Sequence, residues 1–264
     1  MKSLLLTLTL GCFAVFSPVH FGQPPSARKD VSRSAVVQPF AVGKTGVVVD
    51  ETLSVLRKTP SLFGEPIHRM RSGRKVRILA VREADGVRFF RVVAPPSSAG
   101  WVQADAIFGE FRDGDDARMT RLISAMTGFE QLETALLFPE LFPKSPLLPK
   151  ILLLIGDLAD DAAIKLSRDA ASRLKRPQMA ATEAPLHSYF LNFVSLDRYR
   201  KVGIVFLFNP EKKKFYYEGA KWRQVIALAP NSDEAAEARK RLETLKKNME
   251  TTGEDNSAAG STNN

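Results

Sequence analysis

The chain has 264 residues, enough for one large domain or two small ones, with 44% hydrophobic residues and a formal charge of +9. Its single cysteine, Cys12, lies in an apolar run near the start. If that run is removed, no thiol remains for a disulfide, a thiolate metal site or a cysteine nucleophile. The positive charge invites an anionic partner, but acids are interspersed with the basic residues through most of the chain, and no nucleic-acid partner is expected.

Met1-Lys2 and the apolar run Leu4 to Phe16 have the form of a secretory signal, and Pro18 to Ala27 makes a polar exit ending in a small residue. Residues 1–27 are therefore expected to be a cleaved signal peptide, which makes the mature protein secreted or periplasmic. The run is shorter than the roughly 20 apolar residues of a membrane helix, and Ser17-Pro18 stops it, so no integral membrane span is expected in the mature chain. Lipidation of Cys12 is the rival expectation, although Thr9-Leu10-Gly11 fits a lipobox poorly. Residues 28–43 carry Ser, Pro and charge without periodicity and are read as a linker.

Residues 44–110 read as one β-module. Val76, Ile78 and Ala80 alternate onto one face, and Phe90 and Val92 repeat the pattern after a turn at Ala84-Asp85-Gly86. Strands are expected at Gly46 to Asp50, Leu53 to Arg57, Lys75 to Arg82, Arg88 to Val93 and Gly100 to Gln103. Five short strands in this length suggest a small barrel. Because neighbours alternate, only one of Phe89 and Phe90 is expected in the core; if Phe90 packs with Val92, Phe89 is the exposed aromatic. Trp101 is either core of the last strand or a ligand contact. The densest basic run, Arg69, Arg71, Arg74, Lys75 and Arg77, is either a solvated hairpin or an anion site.

From Gly109 onward the spacing turns helical, giving a helical domain at 111–250. Helices are expected over Asp113 to Leu137 and Lys150 to Leu174, separated by the prolines from Pro139 to Pro149. Leu186 to Phe206 repeats apolar residues at threes and fours, with Val202 to Phe208 open to a strand instead. Phe215, Gly219, Trp222 and Ile226 form another helical stripe, with Trp222 as core. Asn231-Ser232-Asp233-Glu234 supplies an N-cap and an acidic first turn for a last helix, carrying the pairs Glu237/Arg241 and Glu243/Lys247. Residues 251–264 are polar and expected to be disordered.

Catalytic constellations are poorly supplied. His68 and His187 are the only histidines outside the signal region, and no partner singles either out as a base. Asp157, Asp160 and Asp161 cluster on one helix, but such a run is ordinarily a solvated face. No metal or nucleotide motif occurs, so no cofactor is expected.

Leu53 to Arg57, Ile67, Gly73, Val76 to Leu79, Phe89 to Val92 and Gly100-Trp101-Val102 fall in the order and spacing of bacterial SH3-like (SH3b) domains, which the β-module resembles. Residues 216–245 resemble one tetratricopeptide unit, through Trp222 to Ile226, Pro230-Asn231-Ser232 and Ala235 to Arg239. These resemblances imply an α+β chain of two domains: a small SH3-like β-barrel at 44–110, then an all-α domain at 111–250, tetratricopeptide-like at 187–250. They further imply a non-catalytic protein that binds a cell-wall peptide or an envelope protein, with Phe89, Trp101, Arg74 and Lys75 as candidate contacts. A cell-wall hydrolase with its active site in the helical region, and a purely structural envelope scaffold, are the alternatives.

Overall fold

A computed structural model describes residues 40–174, 177, 179, 181 and 183–250. The expected signal peptide at 1–27, the linker up to residue 39 and the tail at 251–264 lie outside the described residues. Among the described residues, no helix is long and apolar enough to cross a membrane.

The first half is an antiparallel sheet of seven strands, two more than expected: β1 (Thr45–Val48), β2 (Val55–Arg57), β3 (Pro66–Arg69), β4 (Lys75–Ala84), β5 (Val87–Ala94), β6 (Ser98–Gln103) and β7 (Ile107–Phe108). The strand order is β3-β2-β6-β5-β4-β1-β7. The turn between β4 and β5 forms where expected, with Asp85 and Gly86 both at positive φ, as a tight hairpin matched to the strand twist requires. Alternation places Val76 and Ile78 of β4, Phe90, Val92 and Ala94 of β5, and Val102 of β6 in one buried cluster. Leu56 of β2 and Ile107 of β7 join it, so the sheet is strongly curled. It does not close: no ladder joins β3 to β7, and the expected closed barrel is an open sheet.

The second half opens with α1 (Asp115–Ala125), α2 (Gly128–Leu141) and α3 (Leu148–Arg173). The single helix expected from Asp113 to Leu137 is thus two. Pro139, expected as a breaker, sits inside α2. It is tolerated there because only the last turn follows it, and Phe142 closes that turn by donating its N–H to the Phe138 carbonyl at 2.8 Å. The long α3 buries Ile155, Ala159, Ala163, Leu166 and Ala170 along its length.

Beyond it the expected amphipathic helix from Leu186 to Phe206 is broken into α4 (Leu186–Leu191), a short 3-10 turn and α5 (Asp197–Lys201). Then β8 (Phe206–Asn209) and β9 (Lys214–Tyr217) form a hairpin, so Phe215 belongs to a strand and not to the helical stripe assigned to it. The aromatics Phe190, Phe208 and Phe215 pack together, with ring centroids 5.0 to 6.1 Å apart. Helices α6 (Ala220–Leu228) and α7 (Asp233–Met249) complete the half. The expected cap is present: Ser232 Oγ accepts the Ala235 N–H at 3.1 Å.

The described residues belong to one compact unit. Val49 and Phe108 from the sheet half lie in the same core cluster as the buried residues of α1 to α3. The fully buried carboxylate of Asp115, at the start of α1, accepts the Gly109 N–H at 3.2 Å and Arg118 Nε at 3.0 Å. Burial raises its pKa although Arg112 and Arg118 pull the other way. The Arg118 guanidinium lies 3.6 Å from the centroid of the Phe108 ring. Lys75 of β4 forms an ion pair with Glu140 of α2, a second link across the joint.

Candidate functional site

The inner face of the sheet is filled by its own core, so a site on this half must lie on the outer face. There β2, β6 and β5 run side by side, and Arg57, Trp101 and Arg91 are direct partners in register across them. Gly100 makes this possible. A side chain at that position would meet the Arg57 carbonyl at 2.7 Å and Leu56 at 2.9 Å, so only glycine lets β2 approach β6 this closely. A bulge between Leu56 and Arg57 then turns the chain into the loop that precedes β3.

Trp101 is half-buried, and the Arg82 guanidinium of β4 lies 5.9 Å from its ring centroid. Arg57 and Arg91 thus flank Trp101 in register and Arg82 faces its ring, with Arg57 Nη1 also donating to the Gly64 carbonyl at 2.8 Å; Arg77 lies farther along β4 opposite Val93. Among the described residues no carboxylate pairs with any of these four arginines. The nearby acids are engaged elsewhere: Glu65 with Lys58 at 2.7 Å, Glu83 with Arg88 at 3.0 Å, and Asp85 by accepting from Ser61 Oγ and the Leu62 N–H. Those two hydrogen bonds hold the Asp85 carboxyl below its ordinary value. The patch is cationic because its potential counter-charges are used up around it.

Of the four contacts expected from the sequence, Trp101 is part of this surface and the others are not. Phe89 is fully buried, as is Phe90, so the expectation that one of them stays exposed is corrected. Phe89 is flanked in register by Arg82 and Gln103, and the loop before β3 is tied down to Asp85 at the end of the same hairpin. Arg74 donates to the Pro95 carbonyl at 2.7 Å, and Lys75 is occupied by Glu140. Arg69, from the same basic run, donates to the carbonyls of Glu51 and Thr52. The basic run thus divides among local tasks. Arg57, Arg82 and Arg91 were the residues missed. Their signal was positional, since each falls on the outward register of β2, β4 or β5 and none falls in a run.

The aspartate cluster has a different role. Asp157, Asp160 and Asp161 line a cavity of about 350 Å³ together with Tyr216, Trp222 and Arg241. Asp157 accepts from Trp222 Nε1 at 3.1 Å and from Arg241 Nε at 3.3 Å, tying α3 to α6 and α7. The Asp160 carboxyl is raised, first by burial and then by the charges of Asp161 and Asp157. His187 is exposed at the start of α4, and His68 is half-buried in β3, so neither histidine joins this cluster. Among the described residues no three His, Cys, Asp or Glu side chains are grouped to hold a metal ion.

No family model, no curated protein and no solved structure matches this chain.

Proposed function

We propose that this chain is a non-catalytic binding protein of the cell envelope, secreted or periplasmic. In this reading the sheet is an SH3b-like module that recognises a cell-wall peptide or an envelope protein, and the helical, tetratricopeptide-like half offers a second interaction surface. The observation that carries it is the half-buried Trp101 ring set among Arg57, Arg82 and Arg91, none of them neutralised. A partly exposed tryptophan offers a large apolar area at low entropic cost, and guanidinium groups beside it add charge-assisted, geometrically specific hydrogen bonds.

The test is sedimentation of the full chain with purified cell wall, comparing the parent with Trp101→Ala at low and physiological salt. Retention of the parent, and at least a tenfold weaker retention of Trp101→Ala at both salt concentrations, supports the reading, because charge is screened over about 8 Å at physiological ionic strength while aromatic burial is not. Equal retention of the two proteins overturns it. Release of soluble wall fragments would instead favour the hydrolase.

A further inference from the structure

Resting on that reading, we infer that the ligand of the Trp101 surface is an extended acidic peptide segment: two carboxylates about 10 Å apart with an apolar side chain between them. The spacing comes from the register. Arg57 and Arg91 are one strand away from Trp101 on either side, and strands lie about 4.8 Å apart, so the two residues flank Trp101 with roughly 10 Å between their backbone positions. A chain extended in the polyproline II conformation has three residues per turn and rises about 3.1 Å per residue, so its positions i and i+3 share one face about 9 Å apart. Each guanidinium is a planar fork that matches a carboxylate.

The apolar part of the ligand follows from what else is exposed nearby. Phe63, in the loop between β2 and β3, is 89% exposed, and its neighbour Gly64 accepts a hydrogen bond from Arg57 Nη1 at 2.8 Å through its carbonyl, which ties that loop to the patch. A peptide brings apolar side chains and carboxylates on one strand. A sugar-phosphate polymer supplies the charge and leaves this side chain without a partner. Charge complementarity selects the sign, since the four outward arginines lack counter-ions and the neighbouring acids Glu65, Glu83 and Asp85 are already engaged.

The experiment titrates the full chain with a blocked peptide repeating glutamate, leucine and serine, followed by calorimetry. The same titration in the Trp222→Phe variant, where Trp101 is the sole tryptophan, is followed by fluorescence. Controls are the glutamine analogue of the peptide and inorganic polyphosphate. The expected result is saturable binding that perturbs Trp101 emission, weakens at least tenfold with the glutamine analogue, and weakens at least tenfold in Arg57→Gln and in Arg91→Gln. Equal binding of the glutamine analogue, or polyphosphate binding tighter than the peptide with the same dependence on Trp101, overturns the proposal. If Trp101→Ala abolishes wall retention while the peptide fails to bind, the peptide inference falls and the binding surface stands. Should Trp222→Phe fail to fold, calorimetry on the parent and the two arginine variants decides alone.

Discussion

The chain has two tryptophans, one in each half, and their surroundings are opposite. Trp222 is 2% exposed, donates its indole N–H to Asp157, and packs edge-on against Tyr217 with centroids 5.2 Å apart. It fits so closely on α3 that a side chain at Gly156 would come within 2.3 Å of its indole nitrogen. Trp101 lies on an open face, half-buried, with cations around it and no carboxylate to balance them. A ring whose polar atom is satisfied and whose faces are covered serves cohesion. One left among unneutralised charges contributes little to folding and is free to bind.

The comparison is sharpest in the energetics. Trp222→Ala should cost about 3–5 kcal/mol in urea unfolding, because it opens a cavity between α3, α6 and α7. A loss below about 1 kcal/mol would show that the seam closes without the ring. Asp115→Ala should come next, at about 1.5–3 kcal/mol, since it leaves the Gly109 N–H and Arg118 without their buried acceptor. Equal unfolding curves for that variant and the parent would mean that Val49 and Phe108 packing and the Lys75–Glu140 pair hold the joint between the halves without it.

Trp101→Ala should change the unfolding free energy by less than about 1 kcal/mol while removing binding, which is the reverse of what Trp222→Ala does to a folded fraction. A large destabilisation would make Trp101 a core residue and erase the contrast. The smallest effect concerns Asp160. Its folded-state pKa is raised from an ordinary value near 3.8, so the folded chain holds that proton more tightly than the unfolded chain, and stability present at acid pH is lost as the pH rises through the folded-state value. Asp160→Asn should therefore be more stable than the parent at pH 7, by less than about 1 kcal/mol, given screening of a half-exposed group. The gap should close as the pH falls below the ordinary carboxylate range; thermal melts across that range measure it, and a gap that widens toward acid contradicts the assignment.

The long strands β4 and β5 were legible because each carries a period of two over enough residues to be unambiguous, and the hairpin turn announces itself with Asp85-Gly86. Strands β3 and β7 were not: β3 opens on a proline and pairs across a register shift that breaks its alternation, and β7 has only two residues. In the second half α3 and α7 follow from their stripes and from the Ser232 cap. The β8–β9 hairpin was hidden because Phe215, Gly219, Trp222 and Ile226 happen to recur at helical spacing across a strand, a turn and a helix. Of the candidate surface, Trp101 was visible and its arginines were not, since they come from β2, β4 and β5 and meet only through the strand order. Phe89 misled for the complementary reason: alternation says which face a side chain occupies, and a loop anchored by Ser61 and Asp85 twenty-four residues apart is not visible in alternation.

The open sheet has a further consequence for life at high local concentration. The free end of an open sheet is a row of backbone donors and acceptors, the kind of template on which other chains polymerise. Here one end is a strand of two buried residues whose Ile107 carbonyl already accepts from Arg118 Nη2, and the other begins at Pro66, which has no N–H to offer, and ends at Arg69, whose charge discourages an identical chain. The ends left open by incomplete closure are thus made poor seeds for aggregation, and the sheet keeps its curled, accessible outer face without the continuous ladder that a barrel would use to protect itself.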